Sequence, residues 1–114
     1  MTEVPFRAES TATPGEALLE YELPRDGSVR VTVRAGERRT GGHTVTVTRI
    51  TRSGPQLTIE CAIGEPPAGA IVTQVLTSPA QTVSIPEALV RGIRHAVLLD
   101  QSGAELARVS RISA

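Results

Sequence analysis

Strict alternation of apolar and polar residues constrains this chain more than any other feature. Leu57, Ile59, Cys61 and Ile63 alternate with Thr58, Glu60 and Ala62, the cleanest run in the sequence. Successive side chains of a strand point to opposite faces, so a period of two turns one face toward a core. Ala17, Leu19, Tyr21 and Leu23 repeat the pattern, with Tyr21 facing inward. Val29, Val31 and Val33 answer as the returning strand, and Arg30, Thr32 and Arg34 are expected to face water. Asp26-Gly27 between them is a strong turn signal, because glycine accepts the left-handed conformation. Val45 and Val47 point inward, with Thr44, Thr46 and Thr48 outward. Arg49 then falls in the inward phase and Ile50 in the outward one, a mismatch that a bulge near Thr48 would repair unless the strand leaves the core there.

The rest of the chain continues in short pieces. Ser53-Gly54-Pro55 makes a turn, and Gly64-Glu65-Pro66-Pro67-Ala68-Gly69 is a loop stiffened by proline. Residues 71–77 carry apolar groups on both faces and read as a central strand covered on both sides. Residues 81–85 form another strand, ended by Pro86, and 86–91 suit a single helical turn. Residues 94–99 and 104–109 read as a last hairpin around Asp100-Gln101-Ser102-Gly103. The tally is about eight short strands joined by connections too short for parallel crossovers. The expected fold is all-β: a single antiparallel β-sandwich or partly open barrel with one short helical turn. Residues 1–15 are polar and read as a flexible N-terminal arm, and 16–114 as a single β domain.

Composition narrows the function classes. Phe6 and Tyr21 are the only aromatic residues, so the core must be aliphatic. The formal charge is zero, which leaves no global field to steer nucleic acid or an anionic membrane. All 12 basic residues are arginine, which fits biased codon usage. Arg30, Arg34, Arg38, Arg39, Arg49 and Arg52 lie close in sequence, but no aromatic follows Tyr21 to stack bases. Nucleic acid is therefore not expected as a partner. Cys61 is alone, so no intrachain disulfide forms, and no apolar run is long enough to span a membrane. The location is expected to be cytoplasmic if Met1 is the true start, and exported if a leader has been removed.

No catalytic or metal-ligating constellation stands out. Cys61 lies in the inward phase of a strand, where a thiol behaves as a small hydrophobe. His43 and His95 are the only histidines, too few for a zinc site at recognisable spacing. Glu20 and Glu22 share a strand face, as solvated carboxylates do. Glycine-rich phosphate motifs are missing, so no cofactor is expected and the chain is not expected to be an enzyme.

One loop remains unusual. Between the strands at 29–34 and 44–50 runs Ala35-Gly36-Glu37-Arg38-Arg39-Thr40-Gly41-Gly42-His43. The paired glycines can take positive φ, and the Thr40 hydroxyl can bond a nearby backbone amide. This loop, followed by Val45 and Val47, resembles the PrcB-like C-terminal domain family, named for an accessory subunit of a bacterial subtilisin-like protease complex. A second block, Pro66-Pro67-Ala68-Gly69-Ala70-Ile71-Val72-Thr73-Gln74-Val75-Leu76-Thr77-Ser78-Pro79, fits the same pattern, and Val83-Ile85-Pro86 resembles its end. The resemblance covers residues 35–86. His43 stands where tyrosine is expected, Arg39 where proline is common, and Ala80 where an aromatic often follows.

The resemblance implies a non-catalytic protein-interaction or stabilising module whose partner is a protein, a protease in the family's named member. Arg38, Arg39, Thr40, Gly41, Gly42, His43, Pro66 and Pro67 are the expected partner-binding residues. Self-association as a homodimer through an exposed strand edge is the alternative. A small-ligand or nucleic-acid binder comes third.

Overall fold

The computed structural model describes residues 2–9, 17–22, 26–39, 41–69, 71 and 77–110. Among them the chain forms β1 (Thr2–Glu3), β2 (Arg7–Ala8), β3 (Leu19–Tyr21), β4 (Ser28–Arg34), β5 (Thr44–Ser53), β6 (Gln56–Gly64), β7 (Ala80–Pro86), β8 (His95–Leu99) and β9 (Glu105–Ser110). A 3-10 turn at Glu87–Leu89 follows β7 directly after Pro86. The strands build two sheets, ordered β1-β5-β6-β8-β9 and β2-β7-β4-β3. They are not closed into a barrel, so the fold is the expected all-β sandwich.

Alternation explains the core. Val29, Val31, Val33, Val83 and Ile85 face inward from the four-stranded sheet. Ile50, Leu57, Ile59, Cys61, Ala96 and Leu98 meet them from the five-stranded sheet. Tyr21 packs half-buried against this cluster. Register slips between Val47 and Arg49, which puts the expected bulge at Thr48 and returns Ile50 to the core. The Thr48 hydroxyl bonds Glu60 O across the irregularity (3.1 Å), and the Val47 N–H reaches Gln81 Oε1 of the opposite sheet (2.7 Å).

Three details differ from the sequence reading, and a fourth expectation falls mostly outside the described residues. First, β6 pairs with β8 in parallel. The short connections do not forbid this, because the crossover takes in the whole of 65–94, including β7 in the other sheet. Second, residues 2–9, read as part of a flexible arm, carry two paired strands. β1 adds to β5, Val4 N–H bonds Ile50 O (2.8 Å), and Pro5-Phe6 carries the chain over to β2 on β7. Val4 is the reason the segment stays, since it is buried in the core. Residues 10–15 of that arm lie outside the described residues.

Third, Thr32 and Arg34 do not face water: both are buried. Thr32 Oγ1 lies 2.7 Å from Thr82 Oγ1, its direct neighbour across β4 and β7. Arg34 Nη1 donates to Glu20 Oε1 and to Ala17 O, each at 2.7 Å, so its charge is paired where it is buried. Fourth, the strand expected over 71–77 lies largely outside the described residues, and Ile71, which is described, is fully exposed.

Candidate functional site

Two registers decide where the loops go. Thr44, the first residue of β5, pairs with Gly64, the last of β6. Arg34, the last of β4, pairs with Ala80, the first of β7. The connections 35–43 and 65–79 therefore cross between the sheets at the same end of the sandwich, in opposite directions. They also bond to each other. Ala35 N–H donates to Pro79 O (3.0 Å), Arg38 N–H to Thr77 O (2.7 Å) and Thr77 N–H to Arg38 O (2.8 Å). The result is a short antiparallel ledge spanning the end of the sandwich.

The expected site residues lie in or beside these two connections. Arg38 is tied inward: its main chain makes the bridge, its Nη2 donates to Ala35 O (3.1 Å), and its Nε is buried with no partner. Arg39 and Gly42 are exposed, and Gly41 and His43 are half-buried. Gly42 has φ +85°, a conformation costly for residues with a Cβ. Pro66 is half-buried and Pro67 exposed, directly after Gly64-Glu65 at the end of β6. A Cβ on Gly64 would meet Thr44 Oγ1, so that hydroxyl would have to turn away to admit a side chain there. Thr40 lies outside the described residues.

The 100–103 turn sits at the same end. Ile63 N–H donates to Gln101 Oε1 and Gln101 Nε2 donates to Ile63 O, both at 3.0 Å. Asp100 Oδ1 organises the turn by accepting from the Ser102 hydroxyl (2.6 Å), Ser102 N–H (2.9 Å) and Ala104 N–H (3.1 Å). The Ser102 hydroxyl, helped by the turn's backbone donors, holds the Asp100 carboxyl below its ordinary range against the opposing effect of burial. Burial, with a smaller contribution from the Asp100 charge, pushes the Cys61 thiol up, in keeping with its place in the core.

The two histidines lie at opposite ends of the sandwich. His43 stands at the ledge, while His95 is at the opposite end, where its Nε2 lies 3.1 Å from Gln56 Oε1. Among the described residues no group of three or more His, Cys, Asp or Glu could hold a metal ion. None of their helices is long and apolar enough to cross a membrane. Periodicity carries no signal for the Arg38–Thr77 bridge or for the Gln101 amide. Both are long-range contacts made by residues in loops, where no local pattern marks them.

A family model described as PrcB C-terminal matches residues 30–86. No curated protein and no solved structure matches the chain. The matched segment begins inside β4 and ends on the last residue of β7. It thus contains most of β4, all of β5 to β7 and both halves of the ledge, and it encloses the two sequence blocks at 35–43 and 66–79. With half of the 114 residues matched, the chain belongs to the PrcB C-terminal family.

Proposed function

We propose that this chain is a non-catalytic protein-interaction or stabilising module, and that it engages a protease as the family's namesake accessory subunit does. The observation that carries the reading is the ledge at 35–43 and 65–79, whose two strands are bonded through Arg38 and Thr77. A surface already held in place loses little ordering entropy when a partner docks. Both strands of the ledge fall inside the family-matched segment, which ties the surface to what family members share.

Within this reading the roles divide. Arg38 holds the ledge, and Arg39, Thr40, Gly41, Gly42, His43, Pro66 and Pro67 meet the partner. Exposed Arg39, Gly42 and Pro67 would form the contact itself. Arg38 is a poor probe because its removal loosens the loop. The test is co-expression with a subtilisin-like protease of the native host, followed by measurement of co-purified protease. An Arg39→Glu/Pro67→Glu variant should recover at least about fivefold less protease, a loss of roughly 1 kcal/mol. Arg94→Glu, at the opposite end, should match the parent. Equal recovery by a folded Arg39→Glu/Pro67→Glu variant would remove the ledge from the interaction.

A second reading rests on β9, which forms the edge of the five-stranded sheet among the described residues. An unpaired strand edge is a template for pairing with a second copy. Light scattering across a dilution series distinguishes a homodimer from a monomer.

A further inference from the structure

Two clefts flank the Pro5-Phe6 crossing, and they differ in one respect. The first, of about 300 Å³, is lined by Glu3, Val4, Phe6, Thr48, Arg49 and Ile50 with Pro5 at its edge. Its arginine is already paired: Arg49 Nε lies 3.2 Å from Glu3 Oε1. The second, of about 330 Å³, is lined by Pro5, Phe6, Arg7, Ser28, Ser84 and Pro86. There Arg7 has no carboxylate partner among the described residues, and neither serine hydroxyl has a hydrogen-bond partner among them. Glu9, two residues along the same strand face, sits 3.7 Å from Arg30 instead.

Sheet register explains how these groups come together. Ser84 of β7 lies directly between Arg7 of β2 and Arg30 of β4, and Ser28 pairs with Pro86 in the next row. Val29, Val83 and Ile85 point into the core, so Ser28, Ser84 and Pro86 share the opposite face. One guanidinium and two hydroxyls thus converge on the same cleft. Phe6 and two prolines supply apolar walls, and the prolines offer no N–H of their own. The size falls in the range of small-molecule sites, with a few convergent polar groups on an apolar surround.

We propose that this cleft binds a carboxylate carried on a short apolar chain, with Arg7, Ser84 and Ser28 on the carboxylate and Phe6, Pro5 and Pro86 against the chain. A single unpaired guanidinium balances one negative charge, and its planar fork matches a carboxylate in a bidentate manner. Two hydroxyl donors complete the oxygens' hydrogen bonds. The apolar walls favour an aliphatic body over a bare inorganic anion.

The test is a chemical-shift titration of the ¹⁵N-labelled full chain with N-acetyl-leucine, 4-methylpentanoate, N-acetyl-leucinamide and inorganic phosphate. Saturable shifts at the Arg7, Ser28 and Ser84 amides are expected with the two acids and not with the amide. Tighter binding of N-acetyl-leucine identifies a peptide C-terminus as the source, and equal binding a free aliphatic acid; both support the site. Arg7→Met should weaken binding by about tenfold or more, the loss expected for a charge-assisted hydrogen bond. Arg49→Met, in the neighbouring cleft, should leave it unchanged. Absent saturation, equal shifts with N-acetyl-leucinamide or with phosphate, or an Arg7→Met variant that binds like the parent would each overturn the assignment.

Discussion

The side chain of Gln101 and the main chain of Ile63 bond each other in both directions, N–H to Oε1 and Nε2 to carbonyl, each at 3.0 Å. The β6–β8 ladder stops at Glu60 and Leu99. Beyond that point the amide of Gln101 offers the donor and acceptor that a further strand residue would have supplied. The end of β6, and with it the base of the 65–79 connection, is therefore fastened from the side.

Replacing Gln101 with Ala removes both bonds from a solvent-exposed position. The expected loss is about 0.5–1 kcal/mol, the low end for hydrogen bonds that water can replace. Hydrogen exchange gives the sharper readout: the Ile63 amide should exchange faster while the Ile59 amide, in the core of the ladder, keeps its protection. Unchanged exchange at Ile63 would show that the pairing is idle in solution.

The Asp100 carboxyl predicts an acid dependence in the same turn. Its folded value is depressed by the Ser102 hydroxyl and the turn's backbone donors, so it stabilises the fold above the ordinary carboxylate range and loses that effect as pH falls through the depressed value. Wild type should therefore exceed Asp100→Ala in melting temperature at neutral pH. The gap should close well below about pH 4, where the carboxyl is protonated in both states. A gap that is independent of pH would assign the difference to turn packing alone.

Thr32 and Thr82 share a buried hydroxyl contact of 2.7 Å. Thr32→Val leaves the Thr82 hydroxyl without that partner in a buried site, at a cost of about 1–3 kcal/mol. Thr32→Val/Thr82→Val removes both polar groups at nearly constant shape, so the double variant should recover most of the loss. Denaturant melts of the four proteins form the cycle. Additive losses would mean that the two hydroxyls do not depend on each other.

Gly42 lies in the left-handed region, with φ +85°. Gly42→Val should therefore cost more than about 1 kcal/mol through backbone strain. Thermal melts of the variant and the parent decide. An unchanged melting temperature would show that the loop relaxes around the side chain.

The strands were legible because their cause is local. Leu57, Ile59 and Cys61 announce a half-buried strand by alternation alone, and the phase error at Arg49 and Ile50 marked the place where the structure has its bulge, though alternation alone did not separate a bulge from a strand leaving the core. Arg34 shows where such reasoning stops. It alternates as an outward residue, yet Ala17 O and Glu20 take its guanidinium and it is buried. Nothing within β4 encodes those partners. The ledge was partly legible for the same reason. Glycine and proline marked two loops, but their pairing through Arg38 and Thr77 depends on sheet order, which alternation does not specify.

The parallel β6–β8 pair has a consequence for how the chain is made. When β6 leaves the ribosome it has β5 on one side and nothing on the other. Its neighbour β8 is separated from it by residues 65–94. At ordinary synthesis rates that interval is about 2–6 s. Throughout it, one edge of the strand carrying Leu57, Ile59 and Cys61 stays open to any passing nascent chain. A helper that shields this edge, or a pause after β8 rather than before it, would raise the yield of native protein more than stabilising the finished sandwich.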